Sequence, residues 1–316
     1  MVTPNISLGL PNDLDVICKD RELETIEQFQ PNAFYGIGDI VKQYARYPVN
    51  RPLRVVVPHG VVLSSSYVWR AEISSPCSLV FCYPVYRMQA YRKQLRWRKL
   101  ICNSASPYLY LLKLIEYRSG SNRIGTVFFP SHSTHHIKAS IDTSNLIKRL
   151  QCLDEVFHPI TICIYWKDYL QGQHIPFMEN GFDVVSAGHI FDREFLYRFH
   201  NICSNHEFAC SNEIGSHTFY SIESGCKYRM LDDVEFYRVA SEEVLSRDSP
   251  CDSDNLVDRV RNGLELDQSN VMQRQKRLAD EFLGKKYLKN KTILNLQFKF
   301  ADVLYNFGLR LLAGRK

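Results

Sequence analysis

The sequence lacks a long apolar run, a paired-cysteine metal motif and the signatures of common nucleic-acid-binding modules. No stretch approaches the roughly 18–20 apolar residues of a membrane-spanning helix. None of the ten cysteines forms a CxxC pair, and no RNP, zinc-finger or helix-turn-helix pattern occurs. Since no signal peptide stands at the N-terminus, we expect reduced thiols and a soluble, cytoplasmic protein without a nucleic-acid partner.

The composition provides enough apolar material for well-packed cores. The 316 residues are 45% hydrophobic and 12% aromatic, which argues against extensive disorder. Because this length exceeds the usual single core, we expect two domains, with the polar stretch Arg118–Arg123 as the linker. The predicted regions are an acceptor-side lobe over residues 1–120, a donor lobe over 121–240, and an acidic linker with a helical extension over 241–316.

Short apolar segments alternate with helix-compatible stretches along most of the chain. Runs this short, most of them followed by polar clusters, are typical of strands. The alternation predicts parallel βαβ units and an α/β fold with two Rossmann-like lobes. The predicted strands are Leu53–Val57, Ser78–Tyr83, Lys99–Cys102, Thr126–Phe129, Ile160–Tyr165, Asp183–Ala187, Glu207–Cys210 and Lys227–Leu231. The predicted helices are Arg21–Phe29, Arg87–Lys99, Pro107–Tyr117 and two or more over residues 255–316, broken near Gly284.

Histidines and small polar residues follow the predicted strands of the second lobe. Nine of the ten histidines lie between His132 and His217. In open α/β sheets, ligands bind at the carboxyl ends of the strands, so we interpret these ends as a site for a phosphorylated ligand. The candidate ligand-binding residues are Ser131, His132, Ser133, His136, His189, Ser211, Asn212, Gly215, Ser216 and His217.

The segment from Ser211 to Gly225 is the sharpest chemical element. Ser211 or Asn212 suits the N-cap of a helix after its strand, and Gly225 suits the position after its end. The start of such a helix offers backbone N–H groups and a positive dipole end, which bind phosphate. Simple capping is the alternative interpretation.

The other histidines give weaker signals. His132 and His136 have i,i+4 spacing, but no glutamate lies between them and no suitably spaced thiolates accompany them, so no metal site is expected. His158 precedes a strand and predicts a turn. We expect ordinary surface positions for His174, His200 and His206.

His59 is the candidate catalytic residue of the first lobe. It follows the strand Leu53–Val57, where it would face the cleft between lobes, and an ordinary pKa of about 6.5 suits a general base. Glu72 and Asp168 are the acidic alternatives for the base. A turn histidine without a ligand is the structural alternative.

Two segments concentrate positive charge. The predicted helix Arg87–Lys99 is basic and aromatic, and Lys285–Lys316 is basic with bulky apolar residues. Anionic membrane or anionic glycan suits this pattern. The alternative is a solvated helix face and a terminal helix whose Leu294, Phe298, Leu304 and Leu311 pack on the body.

Four strand-end motifs together resemble a known family. They are Val57-Pro58-His59-Gly60, Phe129-Pro130-Ser131-His132-Ser133, Asp183 to His189, and Ser211-Asn212-x-x-Gly215-Ser216-His217-x-x-Tyr220. The pattern covers roughly residues 50–231. It resembles GT-B-fold glycosyltransferases that assemble bacterial surface polysaccharides, including those of the capsule. It is similar also to CDP-glycerol glycerophosphotransferases.

The resemblance implies a metal-independent, cofactor-free transferase of a nucleotide-sugar or CDP-alditol donor. It implies His59 as the base and Ser211, Asn212 and Ser216 at the donor phosphates. The implied acceptor is a glycan or lipid-linked glycan, and the implied location is peripheral on the cytoplasmic membrane face. The chain has Pro58 where the glycerophosphotransferases usually have tryptophan, and it lacks a Glu-x7-Glu motif. Donor and stereochemistry therefore stay open.

Two other function classes fit the same two-lobed scaffold. One is a nucleotide-sugar epimerase, which acidic residues flanking the cleft would favour. The other is a catalytically inactive binding or assembly protein, which would be indicated if no nucleotide stabilised the folded chain.

Overall fold

A computed structural model describes residues 13–95, 99–117, 122–133, 138–231, 236–239, 255–266 and 270–313. Its strands are β1 Val55–Val56, β2 Leu79–Cys82, β3 Leu100–Asn103, β4 Thr126–Phe129, β5 Lys138–Ile141, β6 Ile160–Cys163, β7 Asp183–Val185, β8 Phe208–Ser211, β9 Lys227–Met230 and β10 Phe236–Val239. Its α-helices are α1 Leu14–Ile17, α2 Ile37–Ala45, α3 Arg70–Ser74, α4 Met88–Leu95, α5 Pro107–Leu114, α6 Thr143–Gln151, α7 Trp166–Leu170, α8 Ile175–Glu179, α9 Phe195–Asn205, α10 Ser216–Glu223, α11 Leu256–Leu264, α12 Val271–Phe282 and α13 Lys291–Ala313.

The chain divides into two compact units. Unit 1 takes in the described residues within 1–21, 118–250 and 255–279, and unit 2 takes in those within 22–117 and 280–316. The stretch that we expected as one C-terminal extension is therefore shared, with α11 in unit 1 and α13 in unit 2. Residues 118–121 of the predicted linker and residues 241–254 of the predicted acidic segment lie outside the described residues.

Unit 1 is built on a five-stranded, all-parallel sheet in the order β7-β6-β4-β8-β9. The five strands predicted for this region are present, and their pairing confirms the α/β class with parallel strands. The chain runs outward from β4 through β6 to β7, then returns to β8 on the other side of β4. This is the order of doubly wound sheets, and the switch point between β4 and β8 is where such sheets bind ligands.

The core of unit 1 explains why these short segments form strands. Every residue of β4, β6 and β8 is buried, as expected for a parallel sheet covered on both faces. Helix α6 covers one face with apolar residues at i, i+1 and i+4 spacing. The core cluster consists of Phe128, Leu146, Ile147, Leu150, Ile160, Ile162, Phe177, Cys210 and Leu231.

Unit 2 contains a three-stranded parallel sheet in the order β1-β2-β3. These strands lie within or beside the predicted segments, and all four residues of β2 are buried. The predicted helices Arg87–Lys99 and Pro107–Tyr117 correspond to the shorter α4 and α5. The core cluster consists of Phe29, Val56, Val68, Cys77, Val80, Cys82, Ala90, Tyr91 and Leu95.

Unit 1 also contains a two-stranded antiparallel sheet that the sequence did not predict. Strand β5 pairs with β10, with Ile141 opposite Phe236 and Lys138 opposite Val239. The two strands are about a hundred residues apart in the chain, so no local turn pattern announces their pairing.

The predicted helix Arg21–Phe29 is wrong, because this segment is irregular. Its polar side chains bond the backbone locally: Asp20 accepts from the Arg21 N–H at 3.0 Å, and Thr25 accepts from the Glu27 N–H at 3.0 Å. The buried Glu27 carboxylate also accepts from the Leu53 N–H at 2.8 Å and from the Lys42 ammonium. Such side-chain bonds compete with helix formation.

The predicted break near Gly284 is confirmed. Gly284 has a φ of +65°, and a Cβ there would lie 2.6 Å from the Ser104 carbonyl oxygen, so glycine separates α12 from the helix that follows. Among the helices of the described residues, none combines the length and the apolar content needed to cross a membrane. The nine cysteines in the described ranges are free thiols.

Candidate functional site

The switch point of the unit 1 sheet is held together by Asn212 and Ser131. The Asn212 side-chain oxygen accepts from the Ser131 N–H at 2.9 Å, and its side-chain nitrogen donates to the Ser131 hydroxyl at 3.1 Å. Both residues are buried. One amide therefore ties the end of β4 to the end of β8, so the two predicted polar strand ends are brought together.

Helix α10 begins at the same edge, three or four residues later than predicted. Its N-cap is Gly215, whereas we expected Ser211 or Asn212. The Ser211 hydroxyl instead accepts from the Glu213 N–H at 3.0 Å and shapes the turn that precedes the helix. The Gly215 N–H donates to the Thr218 hydroxyl at 3.2 Å. The prediction at the other end is confirmed, since Gly225 follows the C-cap with a φ of +94°.

His217 lies in the first turn of α10 and is partly buried. Its Nε2 lies 3.1 Å from the Glu213 carbonyl oxygen, so Nε2 carries the proton and donates it. Burial, together with the charge of His132, lowers the pKa of His217 to about 3, although the hydrogen bond to the Glu213 carbonyl opposes the effect. His217 is thus a neutral imidazole. Gly215 is required beside it, because a Cβ there would lie 2.9 Å from Nδ1.

Asp168 brings a third strand end into the cluster. It lies in α7, directly after β6, and is 2% exposed. One carboxylate oxygen accepts from the Ser133 N–H at 3.1 Å, while the other, Oδ1, has no hydrogen-bond partner among the described residues. A buried carboxylate oxygen without a donor is costly, so this atom calls for a ligand hydroxyl or a water. His132 packs nearby on Tyr165, with ring centroids 4.6 Å apart.

His189 is placed less favourably for ligand contact. It is 0% exposed, and its ring packs on Trp166 with centroids 3.9 Å apart. Nδ1 accepts from the Phe191 N–H at 3.1 Å, and Nε2 lies 3.3 Å from the Asp20 carboxylate. The structure therefore gives this side chain a packing environment and does not present it to a ligand.

His136 lies outside the described residues. Within the part of the chain that the structure describes, no group of three or more His, Cys, Asp or Glu side chains could hold a metal ion. His200 was expected at the surface, but it is buried in α9 with its Nδ1 3.3 Å from the Ser224 hydroxyl. Burial lowers the pKa of His200 to about 4.

In unit 2, His59 follows β1 in an aromatic environment. The ring centroids of Phe34 and Trp69 lie 5.8 and 6.2 Å from that of His59. The preceding residue, Pro58, is fixed because its carbonyl accepts from the Tyr83 hydroxyl at 2.6 Å. Burial lowers the pKa of His59 below 6.5, although the nearby negative charge of Glu72 opposes the effect. The imidazole is therefore neutral near pH 7 and can accept a proton.

A buried ion pair lies beside His59. The Glu72 carboxylate accepts from the Arg87 guanidinium at 3.1 Å, from the Tyr91 hydroxyl at 3.0 Å and from the Trp69 N–H at 3.2 Å. Arg87 is 0% exposed, so placing it on a solvated basic helix was wrong. Because both Glu72 oxygens are engaged, Glu72 is better suited to set the local charge than to act as the base.

Comparison with protein-family models and with curated proteins finds no match for the chain. The two strand-end clusters therefore provide the chemistry from which a function is proposed below.

Proposed function

We propose that the chain is a glycosyltransferase that moves a sugar or alditol phosphate from a nucleotide-activated donor to a glycan or lipid-linked glycan acceptor. The observation that carries the proposal is the polar cluster at the switch point between β4 and β8, in a sheet of doubly wound order. We further propose that the two units are the lobes of a GT-B architecture and that the enzyme works peripherally at the cytoplasmic membrane face.

The start of α10 supports a role in holding the donor phosphates. The first backbone N–H groups of a helix and its dipole favour an anion. No acidic side chain lies in the first turn of α10, and Ser216 adds a partly exposed hydroxyl there. The hydrogen bonds between Asn212 and Ser131 fix this turn relative to β4, so the N–H groups are already oriented before a ligand binds.

Asp168 supports recognition of an uncharged part of the donor. A carboxylate repels phosphate, and Asp168 Oδ1 has no donor among the described residues, so it is suited to accept a hydrogen bond from a hydroxyl. We assign it to a hydroxyl of the donor's sugar or alditol portion. Ser133 keeps the carboxylate in place through its backbone N–H.

His59 is the proposed base. Its neutral imidazole would take the proton of the acceptor hydroxyl while that oxygen forms the new bond to the transferred group. The bond to the leaving phosphate oxygen breaks in the same transfer, and its electron pair stays on the phosphate.

The proposal is tested by thermal unfolding with UDP, GDP, CMP, CDP and TDP. A nucleotide that binds the native state raises the unfolding midpoint. We expect one of them to do so, and Ser216→Glu to weaken its binding at least about tenfold through like-charge repulsion. Ser216→Gln is the control of similar size and should keep most of the affinity. Both variants should fold, because an acidic or neutral polar residue is tolerated in the first helical turn.

Other outcomes identify the alternatives. If no nucleotide shifts the midpoint, the transferase proposal fails and a binding or assembly role takes its place. If a nucleotide-sugar binds and its sugar changes configuration without transfer to an acceptor, the chain is an epimerase.

A further inference from the structure

One face of helix α13 is firmly packed in unit 2. Leu294, Phe298 and Ala301 are at most 1% exposed. The Phe298 ring lies 5.4 Å from Tyr47 and 6.1 Å from Phe81, measured between centroids. The packing alternative considered for the sequence thus holds for Leu294 and Phe298, and it fixes the orientation of the helix in its unit.

The opposite face of α13 carries a row of exposed apolar side chains. A helix turns by about 100° per residue, so the mean direction of this exposed row lies roughly 150° from the mean direction of the buried face. The spacing alternates between three and four residues, and the row is about 21 Å long. Isolated exposed apolar residues are normal, whereas a continuous row indicates a binding surface. This exposed stripe consists of Ile293, Leu296, Phe300, Val303 and Phe307, which are 47%, 58%, 50%, 63% and 61% exposed.

The C-terminal segment that carries the exposed stripe has a net positive charge. Residues 285–316 contain eight Lys and Arg residues and one acidic residue, Asp302, so this segment exceeds the net charge of +5 of the whole chain. Asp302 is engaged by unit 2, accepting from the Tyr47 hydroxyl at 2.8 Å and lying 3.5 Å from the Arg51 guanidinium. Lys299 is exposed beside the stripe. The segment therefore combines an apolar stripe with a net positive charge.

This charge decides between two occupants of the stripe. Three-and-four spacing would also suit pairing with the same helix of a second copy. Such a dimer would bring two cationic segments together, which is unfavourable at short range. An anionic bilayer surface instead attracts each Lys and Arg while its interfacial region takes up Leu and Phe side chains.

We propose that the exposed stripe of α13 docks the protein reversibly on anionic lipid. The five apolar side chains would enter the boundary between headgroups and acyl chains, and the flanking cations would contact lipid phosphates. The proposal names the contact surface for peripheral attachment, and it does not depend on the donor or on catalysis.

The test is co-sedimentation of the full chain with vesicles of phosphatidylcholine alone and of phosphatidylcholine mixed with phosphatidylglycerol. We expect binding to the anionic vesicles only, weakened as salt screens the Lys and Arg contribution. Leu296→Gln with Phe307→Gln should reduce binding at least about tenfold, because two large apolar side chains are removed from the contact. The matched control is Val156→Gln with Met178→Gln, which removes equally exposed apolar side chains from unit 1 and should leave binding unchanged.

Each other result overturns the proposal. If the wild-type protein does not bind anionic vesicles, or if both double variants bind them as the wild-type protein does, the exposed stripe is not a membrane-binding surface. If wild type sediments as a dimer in solution and only the stripe variant is monomeric, the occupant is a second copy. Neither failure affects nucleotide binding, which is measured without lipid.

Discussion

The carboxyl ends of the two parallel sheets are equipped for different chemistry. In unit 1, the side chains of Asn212 and Asp168, which follow β8 and β6, accept hydrogen bonds from the backbone N–H groups of Ser131 and Ser133, which follow β4. The Asn212 amide also donates to the Ser131 hydroxyl. In unit 2, His59 follows β1 and lies among aromatic rings, beside the buried pair of Glu72 and Arg87. The first arrangement suits binding of an anion and its hydroxyls, and the second suits control of one proton.

The carboxyl ends of the strands therefore suit different chemistry in the two units, depending on the residues that surround them. The Asn212 amide is neutral and orients a turn, so the proposed anion site would need no buried cation. His59, by contrast, sits where burial and the charge of Glu72 act on its pKa in opposite directions. If the contrast is correct, changes in unit 1 alter donor affinity and changes in unit 2 alter turnover.

The largest expected effect is on turnover in unit 2. His59→Gln should lower kcat by about 10²–10⁴-fold, as is typical when a general base is lost, with donor affinity nearly unchanged. Because burial lowers the pKa of His59, its neutral form persists as pH falls, so the acidic limb of the wild-type rate profile should lie below pH 6.5. Steady-state kinetics over pH provide both measurements.

The counterpart in unit 1 is Ser216→Glu, which should weaken donor binding at least about tenfold through like-charge repulsion. A His59→Gln enzyme with wild-type turnover, or an acidic limb above pH 6.5, would remove His59 as the base. For either variant, an unfolding midpoint equal to that of the wild-type protein shows that the variant is folded.

A smaller effect is expected on stability, and it should also differ between the units. Glu72→Gln leaves the Arg87 charge buried without its partner, which should cost about 3–5 kcal/mol in the free energy of unfolding. Asn212→Ala leaves the Ser131 N–H without its acceptor and should cost about 1–3 kcal/mol. Denaturant unfolding compares the two losses.

The double variant Glu72→Gln with Arg87→Met tests the cause of the larger loss. Since it removes both charges, it should be more stable than Glu72→Gln alone. A double variant that is less stable still, or equal losses in the two units, would show that the contrast in charge is not what distinguishes the sites.

Much of the fold follows from local sequence patterns. The strands of the five-stranded sheet in unit 1 are short, apolar and bounded by polar clusters, so their positions could be predicted to within a few residues. The pairing of β5 with β10 could not, because it joins distant segments. The irregular segment around Glu27 was also missed, because its carboxylate is engaged by Lys42 and Leu53, far along the chain. Tertiary contacts there override local propensity.

Only part of the candidate site could be predicted, because only some of its residues have a local signal in the sequence. Ser131, Ser133 and Asn212 follow strands, and the parallel order of the sheet brings them together. Asp168 has a weaker local signal, an acidic residue in the first turn of a helix that follows a strand. The burial of Arg87 has no local signal, because its partner Glu72 lies fifteen residues away. A basic run in a sequence does not reveal which of its charges is paired inside.

The most direct test of the account is a crystal structure with the nucleotide that stabilises the protein. We predict that its phosphates lie within hydrogen-bond distance of the backbone N–H groups at the start of α10 and of the Ser216 hydroxyl. We also predict a ligand hydroxyl within hydrogen-bond distance of Asp168 Oδ1. A nucleotide bound away from the ends of β4 and β8 would contradict the central claim.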